Sequence, residues 1–132
     1  MAQTAPRRRT TSRRRAPVRA QPAWQPKEQT EFLIGSVGGV TRLAELLDVA
    51  KSQPTRWRQG TEVPSLPVAQ KLLDLDAVFR RALLLWEPEV ARIWLESPNA
   101  YLDHARPMDV LLTRGASEVI EALDSALAGG YA

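Results

Sequence analysis

Residues 41–60 read TRLAELLDVAKSQPTRWRQG. Leu43, Leu46 and Leu47 recur at i, i+3 and i+4, which predicts a helix with one apolar face, capped by Thr41. Asp48, Val49 and Ala50 read as a short turn. Ser52 then stands where it can cap a second helix, and Pro54 falls in that helix's first turn, where a missing amide hydrogen costs little. Gly60 stands where a helix commonly stops. Helices of about two turns are not stable alone. Each must therefore bury its apolar side against the other and against a third helix. The three leucines supply one face, Ala44 permits close approach, Val49 packs in the turn and Trp57 anchors the second helix.

What remains to point outward from the second helix is Lys51, Ser52, Gln53, Thr55, Arg56, Arg58 and Gln59, with no acid among them. A helix bearing amide, hydroxyl and guanidinium groups is chemically suited to a DNA major groove. Gln53 can bond bidentately to adenine and Arg56 to guanine, with Thr55 beside them as a third base contact. Arg42, Lys51, Ser52 and Arg58 are placed to hold phosphates, which orient a protein without reading sequence. The competing reading is an ordinary helical hairpin with a solvated basic face.

Working outward, residues 27–37 read as a helix carrying Phe32, Leu33 and Val37, broken by Gly38-Gly39. Pro64 and Pro67 stiffen the connector after Gly60. A long helix is expected over 66–86. Its consecutive Leu83, Leu84 and Leu85 span well over half the circumference, which calls for burial on two sides, by dimerisation. Further helices are expected at 88–96, from Pro107, and at 116–128, with a short turn at Tyr101-Leu102. The last three are expected to pack through Ile93, Trp94, Leu95, Leu102, Met108, Val110, Leu111, Leu112, Val119, Ile120, Leu123 and Leu127. Trp57, Trp86 and Trp94 fall within helical periods as core residues, with one of them an alternative interface residue; Trp24 lies in a proline-rich leader. No sustained alternation argues for a sheet. The expected fold is all-α: a tail at 1–26, a helix–turn–helix domain at 27–65, a linking or dimerisation helix at 66–88 and a further helical module at 89–132.

Composition narrows the chemistry. The 132 residues carry 18 Lys plus Arg and 15 Asp plus Glu. Residues 1–26 hold Arg7, Arg8, Arg9, Arg13, Arg14, Arg15 and Arg19 and no acid, so the tail is +7 and the remainder −4. A segment so poor in apolar residues and rich in proline cannot offset its backbone entropy, and it reads as disordered. It serves either as a phosphate-binding arm, through counterion release, or as a solubilising tail. The absence of cysteine excludes disulfides, thiol nucleophiles and thiolate metal sites. One histidine leaves no material for an imidazole metal centre, and Asp103-His104, as sequence neighbours, do not share a helix face. No catalytic set, metal site or cofactor is expected. No run approaches the roughly 20 apolar residues of a membrane span. The arginine-rich start lacks the apolar core of a secretory signal, and Pro6, Pro17 and Pro22 interrupt the helix a mitochondrial presequence needs. A cytoplasmic protein is expected.

Two family resemblances follow from these residues. Leu43-Ala44, Leu47, Val49, Ser52, Arg56-Trp57, Gly60 and Pro64 resemble, in order, the helix–turn–helix of Xre and Cro-type repressors. Asp48 stands where those proteins usually have glycine, Ala50 where they have a capping hydroxyl, and Pro54 is atypical within the reading helix. Further on, Ile93-Trp94-Leu95, Ser97-Pro98-Asn99, Leu102, Pro107, Asp109-Val110-Leu111 and Gly115 are similar to the Xre/MbcA/ParS toxin-binding domain. The resemblance implies an antitoxin of a type II toxin–antitoxin pair. Its partner would be a RES-domain toxin that depletes NAD, its DNA target a double-stranded operator bound as a homodimer. It also implies that Trp94, Pro98, Asn99, Pro107 and Gly115 shape the domain, with toxin contacts after Gly115. The residues themselves add that Glu118, Glu121 and Asp124 lie at spacings of three, an acidic stripe able to steer toward a basic cleft. Tyr131 offers a terminal aromatic anchor. The alternative is a stand-alone helix–turn–helix regulator without a toxin; an enzyme is the weakest reading.

Overall fold

The computed structural model describes residues 26–129; Trp24, Tyr131 and the arginine-rich stretch lie outside the described residues. The described chain is helical throughout, as expected, with only an isolated bridge between Asn99 and Ala105. The helices are α1 (Pro26–Val37), α2 (Val40–Leu47), α3 (Ser52–Gln59), α4 (Leu66–Ala82), α5 (Pro88–Leu95), α6 (Pro107–Arg114) and α7 (Ser117–Ala128). A single 3-10 turn, Ala100–Leu102, separates α5 from α6. Pro26, counted with the tail on composition, is the first residue of α1.

Packing is organised by α4. Its Leu72, Leu75, Phe79 and Ala82 repeat at three- and four-residue steps and are wholly buried, with Val78 beside them. This face meets α1 on one side and α6 and α7 on the other. Leu33 and Val37 of α1, Leu43 and Leu47 of α2 and Trp57 of α3 join Ala91, Leu95, Leu111, Val119 and Leu123 in one continuous apolar cluster. The helix–turn–helix pair therefore shares its core with the C-terminal helices. Among the described residues, no helix is long and apolar enough to cross a membrane.

Several local expectations are corrected. Thr41 does not cap α2: the helix starts at Val40 with Gly39 as its cap residue, and the Leu43 amide already donates to the Gly39 carbonyl at 3.1 Å. Ser52 is inside α3 rather than before it, with Lys51 at the cap position and no side-chain capping bond. The long helix stops at Ala82, not at residue 86. Pro88 restricts Glu87 to an extended conformation (ψ 158°), so the chain must leave the helix before it. Residues 83–86 form a turn, with the Leu84 and Leu85 amides donating to carbonyls three positions back. The leucine triplet thus does not wrap a helix: Leu84 is 84% exposed, Leu83 and Leu85 half-buried. Ile93 and Leu127, expected in the core, are 66% and 61% exposed.

Candidate nucleic-acid and protein interfaces

The turn between α2 and α3 is made by Asp48, which adopts the left-handed conformation (φ 57°, ψ 51°). Its amide and that of Val49 donate to the Glu45 and Ala44 carbonyls. Asp tolerates this region better than most residues. Gly60 ends α3 in the same conformation (φ 80°). Trp57, 1% exposed, and the buried Pro54 fasten α3 to the core and fix which of its faces is outward.

On that face Lys51, Ser52, Arg56 and Gln59 are exposed, and Gln53, Thr55 and Arg58 are half-buried. The basic groups are not idle. Arg56 pairs with Glu62 at 3.6 Å and Arg58 with Glu31 at 3.9 Å. Arg42, on α2, pairs with Glu96 beyond the end of α5 and with Glu45 at 3.4 Å. Hydrogen bonding to Glu96 raises the Arg42 pKa above the usual guanidinium value, which keeps the charge and spends it. Lys51 is exposed and has no ion-pair partner among the described residues.

At the other end of the fold, Glu118, Glu121 and Asp124 do share the outward side of α7. Two of them are neutralised locally. Arg114 donates to Glu118 at 2.9 Å, and Arg81 of α4 donates to Asp124 at 2.9 Å. Glu121 alone stays exposed without an ion pair among the described residues. Composition and periodicity missed a second surface, on α5. Ala91 and Leu95 are wholly buried there, so Val90 and Ile93 face outward, 46% and 66% exposed, with the half-buried Trp94 alongside. Trp94 packs obliquely on Trp86, ring centroids 5.6 Å apart. The sequence signal was the apolar character of both sides of this short helix.

The turns joining these helices are built by residues that make little outside contact. The Asn99 side chain accepts from the Tyr101 amide at 2.9 Å, and its backbone amide donates to Ala105 at 3.1 Å. Asp103 and His104 follow in the left-handed region (φ 56° and 68°), with His104 exposed. Pro107 is buried at the first position of α6, and Pro98 is exposed. Gly115 joins α6 to α7 at φ 94°, ψ −173°, a conformation essentially reserved for glycine.

The family model of the antitoxin Xre/MbcA/ParS C-terminal toxin-binding domain matches residues 75–129, from the middle of α4 to the end of α7. The mycobacterial cidal antitoxin MbcA of Mycobacterium tuberculosis is 30% identical over 88 residues, 67% of this chain and 77% of the relative. Its counterpart from Mycobacterium bovis matches to the same extent. The chain belongs to the Xre/MbcA/ParS antitoxin family. Members of such a family act by binding rather than by catalysis. The fold is also that of a chain in the crystal structure of the M. tuberculosis MbcT–MbcA toxin–antitoxin complex. The TM-score is 0.68 at 22% identity, covering 80% of this antitoxin and 96% of that chain.

Proposed function

We propose that this antitoxin neutralises a RES-domain, NAD-depleting toxin by direct contact through its C-terminal module. We further propose that it represses the shared operon by placing α3 in the operator major groove, acting in the cytoplasm as a homodimer. The observation that carries the reading is the toxin-binding family match over residues 75–129, joined in one chain to a helix pair with an acid-free outward face. Toxin contact is assigned to α7, with the unpaired Glu121 as the steering charge, Glu118 and Asp124 flanking it, and Tyr131 following. The exposed Val90–Ile93 face of α5, which lies within the toxin-binding match over residues 75–129, favours a second assignment within the same reading. Gln53, Thr55 and Arg56 are assigned to bases and Arg42, Lys51, Ser52 and Arg58 to phosphates.

Co-expression with the neighbouring open reading frame tests the proposal. A stable complex on size-exclusion chromatography, with suppressed loss of cellular NAD, is the expected result. NAD loss that proceeds unchanged in the presence of this chain refutes the toxin assignment. Binding of the promoter duplex without any toxin complex would establish the stand-alone regulator instead.

A further inference from the structure

Beside the last turns of α4 and α7, Arg81, Leu84, Leu85, Leu123, Asp124 and Leu127 line a notch of about 160 Å³. Leu123 is wholly buried and Leu85 half-buried, while Leu84 and Leu127 are left largely in water. The polar part of the lining is the Arg81–Asp124 ion pair, closed at 2.9 Å. An apolar cavity of about 150 Å³ holds one benzene molecule, so the notch has the volume of a single aromatic ring. Its chemistry narrows the ring further. The four leucines suit the body of an aromatic side chain, and a guanidinium beside a carboxylate suits one with a hydroxyl at its tip.

We propose that Tyr131 of the same chain fills this notch when no partner is bound, and that a toxin drawing on Tyr131 must first empty it. The described residues stop at Gly129, and the two positions from there to Tyr131 span at most about 7 Å. Leu127, two positions before Gly129, is itself part of the lining, so the tyrosine is tethered at the edge of the notch. Spacing supplies the direction. Carried one turn further at about 100° per residue, the spiral of α7 puts Leu127 about 40°, Tyr131 about 80° and Asp124 about 100° round from Leu123. Position 131 thus falls between two residues of the lining, and a long side chain on a helix leans back over the turn before it. In the notch the ring covers Leu84 and Leu127, with its hydroxyl beside the Arg81–Asp124 pair. The seat stands on the notch alone, whereas the competition rests on the toxin contact proposed above for Tyr131. A seat filled nine-tenths of the time leaves about one chain in ten competent and lowers the apparent affinity about tenfold.

In full-length chain with isotope-labelled leucine methyls, the Tyr131 ring protons should show nuclear Overhauser contacts to Leu84 that vanish in Tyr131→Ala. Stability reads the same seat. Leu84 is 84% exposed, so Leu84→Ala is neutral unless something covers that side chain. Leu84→Ala and Tyr131→Ala should each lower the Tm by about 2–8 °C, and the double variant by no more than the larger single loss. Tyr131→Phe, which keeps the ring, should lower it less. A neutral Leu84→Ala, or no contact between Tyr131 and Leu84, overturns the seat. Against the product of the neighbouring open reading frame, Leu84→Ala should bind more tightly than wild type, by up to about tenfold. Unchanged or weaker binding, with the Tyr131–Leu84 contacts present, overturns the competition and leaves the seat. A wild-type chain that forms no complex refutes the toxin assignment and the competition with it, while the contacts and the Tm still decide the seat.

Discussion

Replacing Trp57 separates two contributions that the structure superimposes at one position. The indole is 1% exposed and is the largest fully buried side chain among the described residues, yet its Nε1 hydrogen has no acceptor among them. Burying a tryptophan removes about 150–250 Å² from water, or about 4–6 kcal/mol at roughly 25 cal/mol per Å². An unpaired buried donor offsets about 1–3 kcal/mol of that. Trp57→Ala should therefore cost about 1–5 kcal/mol, up to a large part of the roughly 5–15 kcal/mol that holds a domain of this size together. Trp57→Phe behaves differently. It gives up the pyrrole ring, on the order of 1–2 kcal/mol of burial, and deletes the unpaired donor, so the two changes cancel to within about 1 kcal/mol. Urea unfolding followed by far-UV circular dichroism measures both variants against the wild type. A phenylalanine variant as unstable as the alanine variant would show that the indole hydrogen is satisfied and the reasoning wrong. An alanine variant within 1 kcal/mol of wild type would show that α3 is not anchored through this residue.

Gly115→Ala should lower stability by about 1–3 kcal/mol, seen as a reduced Tm, because no Cβ-bearing residue adopts φ 94° with ψ −173° without strain. Gln53→Ala should weaken operator binding by about 1–3 kcal/mol and leave binding to unrelated duplex unchanged; equal loss on both would reassign the residue to phosphate. Lys51→Ala should reduce the slope of log affinity against log salt by about 1, with sequence preference retained. Glu121→Lys should slow association with the toxin, with an effect that shrinks as salt rises. If Ile93→Asp abolishes the toxin complex and Glu121→Lys does not, α5 rather than α7 carries the contact.

The helices were legible wherever punctuation was covalent in kind. Gly60 and Gly115, Pro88 and Pro107 bound elements at or next to the positions their backbone restrictions imply. Thr41 and Ser52 misled because a hydroxyl before an apolar run is a permissive signal: Gly39 served as the cap of α2, and α3 began one residue after an uncapped Lys51. Periodicity finds the buried sides of α4 and α7 but cannot rank two apolar sides of one helix, which is why Ile93 and Leu127 read as inward in the sequence and are exposed in the fold. The acidic stripe on α7 was real as a placement and overstated as a charge. The Arg114–Glu118 pair, four residues apart on adjoining helices, was available from spacing. The Arg81–Asp124 pair joins residues 43 positions apart and becomes visible only once α4 packs beside α7.

The same pairing shapes how the two ends of the molecule relate. Every arginine among the described residues is engaged: Arg92 donates to the Ser36 carbonyl at 2.8 Å and the others meet carboxylates. Residues 27–132 carry four more acids than bases, so any attraction to a polyanion has to be local to the α3 face or to come from residues 1–26. Exposed pairs of this kind are each worth only about 0–1 kcal/mol, and opening Arg56–Glu62 or Arg58–Glu31 to receive phosphate is therefore inexpensive. Arg42 is in a different position. Its partner Glu96 also receives Arg106, which in turn holds Asp109 at the start of α6. Drawing Arg42 onto a phosphate would release Glu96 to Arg106, whereas a partner that pulls Arg106 away would tighten Glu96 on Arg42. Arg42 and Arg106 thus share one carboxylate, so loosening either arginine leaves Glu96 to the other.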